Sequence, residues 1–261
     1  MDLRIEVSGL NTVTIVSPTS VEFDARVTSL LGHLAERALR LKPYLAIVWN
    51  QSPRTIVAFT SEWISFPNEY GATTTARSHV TFPDAVCGPA LGGNVQQGIP
   101  PDGHMVISVT CSVERESLEC DDGEWLDPFV HEKDAQLANA TDLRIGLDAV
   151  IFDDGVLVGP DNTGLAKGFG MYVDAKQEIY RTLTAQLEER SASEDFFAPV
   201  RAMLVNPRNA GLQALRDPAV RARSQAAAEV IGWQRRTLLE PLKAARTEPF
   251  NIRRLEKSDG E

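Results

Sequence analysis

The hydrophobic period of this chain changes twice, and those changes limit its architecture more than any motif does. Phe23, Val27, Leu30, Leu31, Leu34, Ala38 and Leu41 recur at spacings of three and four. That is one face of a helix, with Ser20 placed to cap it and Lys42–Pro43 to end it. The period then falls to two. YLAIVW (44–49), RTIVAFTSEWI (54–64), MVISVTCSV (105–113) and LRIGLDAVIF (143–152) are rich in β-branched and aromatic residues, as strands are. From Thr163 the spacing returns to three and four. Leu165, Phe169, Tyr172, Val173, Ile179, Tyr180, Leu183 and Leu187 mark one long helix face.

Turn residues divide these runs. Leu3, Ile5 and Val7 alternate with polar residues, as do Val13 and Ile15, and SGLN lies between them. The pattern predicts a short hairpin. Asp153–Asp154–Gly155 predicts a second hairpin, between 143–152 and VLVG (156–159). Asp127–Pro128 and Asp217–Pro218 each read as an N-cap followed by a proline in the first helical turn. Phe196, Phe197, Val200 and Leu204 suit a short helix, and the last helix is expected to kink near Pro241.

These elements predict an α+β protein: an immunoglobulin-like antiparallel β-sandwich with an N-terminal helix and a C-terminal helical subdomain. Residues 1–42 are the hairpin and helix, 43–162 the sandwich, 163–246 the helical subdomain and 247–261 a mobile tail. The runs KPYLAIVWNQSPRTIVAFTSEW, IPPDGHMVISV and LDAVIFDDGVLVGPDNTGL are similar to unannotated bacterial proteins with such a sandwich and a helical C-terminal region. The resemblance spans about residues 42–165 and implies a fold without catalytic residues.

Charge is unevenly spread. Residues 201–261 carry 12 Lys/Arg and 7 Asp/Glu; the whole chain is −10, which leaves −15 for residues 1–200. An acidic body disfavours general nucleic-acid binding, and its basic C-terminal segment suits an anionic partner or a second copy. Cys87, Cys111 and Cys120 form neither a disulfide framework nor a zinc knuckle. With no secretory leader or membrane span evident, a cytoplasmic location is expected.

Residues 156–168, VLVGPDNTGLAKG, raise the question of phosphate binding. Gly159 and Gly164 have the separation of a nucleotide-binding loop, but Leu165 and Ala166 stand where it needs Lys and Ser/Thr, and Lys167 comes too late. The expected role is a turn, with Asp161, Asn162 or Thr163 capping the next helix. Neither a metal site nor a cofactor is expected: the four histidines form no close pair, and Val156–Val158 interrupt any calcium loop through Asp153, Asp154 and Asp161.

The functional expectation is a non-catalytic binding or assembly module that engages a protein partner or itself. Trp125, Arg221, Arg223, Trp233, Arg235 and Arg236 are its candidate contact residues. One alternative is a hydrolase or transferase with a loop site near Cys87, His104 and Asp161. Another is a carbohydrate-binding or adhesion-type sandwich that uses Trp125.

Overall fold

A computed structural model describes residues 3–67, 73–87, 97–109, 140–188, 197–204, 216–232 and 249–255. Those residues are mixed α+β, with their strands in two sheets and no barrel among them. The chain forms two compact units. The first comprises Met1–Val80, Ile99–Phe152 and Val158–Thr163, and the second Thr81–Gly98, Asp153–Leu157 and Gly164–Glu261. Among the described residues no helix is long and apolar enough to cross a membrane.

In the first unit the strands are β1 (Arg4–Ser8), β2 (Val13–Val16), β3 (Leu45–Asn50), β4 (Ile56–Pro67), β5 (Thr74–Thr81), β6 (His104–Ser108) and β7 (Ala140–Phe152). The smaller sheet runs β2–β3–β6, all antiparallel. In the larger one, β4 lies between β5 and β7. It pairs antiparallel with β7 from Ile56↔Phe152 to Pro67↔Ala140.

The expected N-terminal hairpin does not form as such. Leu10 and Val13 do close a tight turn, with reciprocal 2.8 Å hydrogen bonds. The ladders on either side of it diverge. β1 runs parallel to β7, Arg4↔Asp142 to Ser8↔Gly146, while β2 pairs with β3. Alternation identifies a strand but not its neighbour, and both flanking strands offer the same period-two pattern.

The expected first helix is also divided. α1 (Phe23–Leu31) ends at Gly32, whose φ of +58° with ψ of −125° lies outside the left-handed helical region and favours glycine. A single 3₁₀ turn, Gly32–Leu34, leads into α2 (Ala35–Leu39). No side chain caps α1, so Ser20 does not serve as its cap. The apolar face survives the break. Phe23, Val27, Leu31, Leu34, Ala38 and Leu41 pack with Leu45, Ile47 and Val106 of the smaller sheet. Ala46 and Val48, on the opposite face of β3, are equally enclosed, which explains the uninterrupted apolar run there.

β7 changes character along its length. Arg144 is exposed between buried Leu143 and Ile145, but every residue from Leu147 to Phe152 is buried. That run includes Asp148, at 6% exposure. The strand then turns through Asp153–Gly155 into β8 (Val156–Val158), with Gly155 at φ +79° and Asp154 Oδ1 accepting from the Val156 amide at 3.1 Å.

The second unit is built on α3 (Asp84–Cys87), α4 (Leu165–Glu188), α5 (Ala198–Ala202) and α6 (Pro218–Gly232). Leu165, Phe169, Val173, Ile179, Tyr180 and Leu183 of α4 are buried, as the spacing predicts. α6 opens as expected, with Asp217 Oδ1 accepting from the Ala219 amide at 2.9 Å. Val200 of α5 is buried and Leu204 is exposed. Residues 249–255, expected within a mobile tail, are instead engaged. Phe250 meets Phe169 edge-on, and β9 (Arg253–Arg254) pairs in parallel with Val156 and Leu157. The segment follows a stretch without periodicity, and a two-residue strand leaves no pattern to detect. The helix expected at 128–139 and the kink near Pro241 lie outside the described residues.

Candidate functional site

The loop that resembles a phosphate cradle does bind an anion, and the anion belongs to the protein. Gly159, Asp161 and Gly164 have φ of +101°, +56° and +72°. These turns bring the Asn162 and Thr163 amides to Asp148, with N–O distances of 3.1 and 2.9 Å. Asn162 Nδ2 and Thr163 Oγ1 complete the set at 3.0 and 2.8 Å. Gly159 is required by space as well as by φ, because a Cβ there would lie 2.3 Å from the Asp148 carbonyl oxygen. Burial raises the Asp148 carboxyl, but the bonds from Thr163 and Asn162 outweigh it and hold the group below its ordinary value. Thr163 Oγ1 also lies 3.3 Å from Thr60 Oγ1, which is 3.0 Å from His79 Nδ1. The expected backbone-shaping role is therefore joined by a charge-binding role that the sequence did not suggest.

In the second unit, a buried ionic cluster joins three helices. The Lys176 side chain of α4 has no exposure, and its Nζ donates to Asp84 Oδ1 of α3. The same Nζ lies 2.8 Å from Glu229 Oε1 of α6, and the Tyr172 hydroxyl donates to Glu229 Oε2. Burial raises the Asp84 carboxyl, and the attraction of Lys176 only partly offsets it. Burial likewise pushes the Tyr172 and Tyr180 phenols above their ordinary range. Lys176 falls within the apolar stripe of α4, between Val173 and Ile179. A charged residue in that position was a legible signal, but its partners lie on other elements.

α4 and α6 also form an open groove of about 420 Å³, lined by Met171, Asp174, Ala175, Glu178, Arg181, Ala219 and Arg223. Arg223 Nη2 pairs with Glu178 Oε2 at 3.2 Å, both side chains remaining substantially exposed. Arg181 Nε donates to the Gln177 carbonyl at 3.3 Å. Of the candidate contact residues, Arg223 is thus placed in a concave surface. Arg221 is exposed but does not line the groove, since residues two apart on a helix point in different directions. Trp125, Trp233, Arg235 and Arg236 lie outside the described residues.

The residues of the alternative enzyme reading are each engaged locally. Cys87 ends α3, not a loop, and is fully buried, with its Sγ 3.9 Å from the Val173 carbonyl. Burial pushes its thiol up to about 12, so it holds its proton at neutral pH. His104 stacks on Trp49 at 5.2 Å, and Arg26 lies over the same indole. Arg26 Nη1 also meets His104 Nε2 at 2.9 Å, which makes that nitrogen the acceptor of a neutral imidazole. Burial, then the Arg26 charge, lowers the histidine from its ordinary value. Asp161 belongs to the loop around Asp148, with its amide 3.4 Å from the Asp148 carbonyl. Cys87 falls in the second unit, His104 and Asp161 in the first. Among the described residues no group of three or more His, Cys, Asp or Glu side chains is arranged to hold a metal ion.

No protein-family model, curated protein or solved structure matches the chain.

Proposed function

We propose that the chain is a non-catalytic binding or assembly module that engages a protein partner, or a second copy of itself, through the groove between α4 and α6. The lining of that groove carries the reading. It combines the charged side chains of Arg181, Arg223, Asp174 and Glu178 with Met171, Ala175 and Ala219. Small side chains allow a partner backbone to come close, methionine adapts to its shape, and paired charges of both signs set register and select against mismatched partners. The split between an acidic body and a basic C-terminal segment favours a complementary second copy as the occupant. The β part of this module is read as an immunoglobulin-like sandwich, similar to the bacterial proteins named above. Two sheets of mostly antiparallel strands support that reading, and the parallel β1–β7 and β8–β9 pairs are additions to the pattern.

Light scattering after size exclusion is the test. The expected result is a salt-sensitive assembly, either a multiple of the chain mass or a complex recovered by pulldown at low salt. Arg223→Glu, which sets two like charges against each other at Glu178, is expected to weaken it by at least about tenfold. A strict monomer with an empty pulldown, or an assembly indifferent to Arg223→Glu, overturns the reading.

A further inference from the structure

None of the groove's lining residues belongs to the ionic cluster of Lys176, Asp84, Glu229 and Tyr172, and that cluster has the parts for a covalent reaction within the chain. An ordinary surface ion pair needs one cation and one anion in water. Here an amine with no exposure faces two carboxyl groups, Asp84 and Glu229, on two other helices. Tyr172 fixes the second carboxyl through its own hydroxyl, and the buried side chains of Cys87, Val173 and Tyr180 belong to the same helices.

The Lys176 amine is fully enclosed and Asp84 nearly so, while Glu229 keeps partial exposure, and the two carboxyl groups leave one negative charge over. Passing a proton from the amine to a carboxyl replaces an ion pair by two neutral groups, and burial favours that exchange. It also creates reactivity. A free amine is a nucleophile, whereas an ammonium is not, and a protonated carboxyl carbon is far more electrophilic than that of a carboxylate. The raised carboxyl of Asp84 acts in the same direction. Holding the two groups in contact supplies the effective concentration that free amines and acids lack in water.

We propose that Lys176 and Asp84 condense to an intramolecular isopeptide bond, with Glu229 carrying the proton. Lys176 Nζ gives a proton to Glu229, Glu229 passes it to Asp84, and the freed lone pair of Nζ attacks the protonated Asp84 Cγ to form the C–N bond. Nζ then gives a second proton to Glu229, which delivers it to the same Asp84 oxygen and returns to its carboxylate. The C–O bond breaks and water leaves. One ammonium and one carboxylate thus become one amide and one water, with no change of oxidation state. The product ties α3 to α4, two elements far apart in sequence, through their side chains.

Intact-mass spectrometry of the denatured full chain decides the matter. The expected mass is that of the sequence less one water, and peptide mapping should give a branched product joining the Asp84 and Lys176 peptides. The full sequence mass, with both residues in separate linear peptides, overturns the proposal whether or not any variant folds. Glu229→Gln and Lys176→Arg are expected to restore the full mass while circular dichroism still reports a helical fold. A water loss that persists in Lys176→Arg would place the dehydration elsewhere and overturn the bond. One that persists in Glu229→Gln would overturn the role given to Glu229.

Discussion

Asn50→Ala is expected to lower the unfolding free energy by about 3–4 kcal/mol, a large effect for one polar side chain. Asn50 has no exposure and ends β3. Its Nδ2 donates to the carbonyls of Arg54, Ile99 and Pro100 at 2.7, 2.8 and 3.0 Å. Its Oδ1 accepts from the Ser52 amide and hydroxyl at 3.1 and 2.6 Å. One side chain therefore holds the 50–54 turn against the 99–103 segment, which also bonds to Ile56 and to the Asn50 amide. Alanine fills none of this space, takes one of the two donors from each of these three carbonyls and removes the oxygen that the Ser52 amide bonds to. Asn50→Asp keeps the volume but turns oxygen towards carbonyl oxygen, so it should cost at least as much. Urea unfolding checks both: the midpoint should fall with little change in slope. A loss below about 1 kcal/mol would show that the turn and the 99–103 segment hold without the amide.

Asp148 is the second residue on which much depends. Asp148→Asn keeps one oxygen but turns an NH2 group, itself a donor, towards the amide of either Asn162 or Thr163, and it removes the charge; it is expected to cost about 3 kcal/mol at neutral pH. The pH dependence has a definite sign. A carboxyl whose folded value lies below its unfolded one contributes stability that is fully present above the unfolded value, about 3.9 for aspartate. That contribution disappears as the pH falls through the lower, folded value. The stability gap between the native chain and Asp148→Asn should therefore be widest at neutral pH and narrow in acid. Unfolding both proteins across that range measures it, and a gap that stays constant would mean that the charge of Asp148 plays no part.

What could be read from the sequence was local. Asp153–Asp154–Gly155 and Asp217–Pro218 act within a few residues of themselves, and both do in the structure what their chemistry requires. The apolar stripe of α4 was legible for the same reason, since its spacing is set by the helix itself. Gly32 was harder, because the apolar face continues across it and only the backbone angle records the break. The least legible features were polar residues whose partners come from another element. Asp148 lies between Leu147 and Ala149, and Lys176 between Val173 and Ile179. Each stands out as a charge in an apolar setting, yet nothing nearby in sequence names Thr163 or Asp84 as its partner. The groove was half legible: Arg223 was a candidate, whereas Glu178 and Arg181 are brought to it from a different helix.

The parallel pairing of β1 with β7 has a consequence for how the protein is made. Arg4 leaves the ribosome long before its partner Asp142 exists, and at ordinary elongation rates the delay is on the order of ten seconds. For that interval the first strand has no ladder to join, while β2 and β3 can already pair with one another. The nascent chain must therefore keep β1 in reserve, and synthesis of residues 142–146 sets the earliest moment at which β1 can be drawn into the larger sheet.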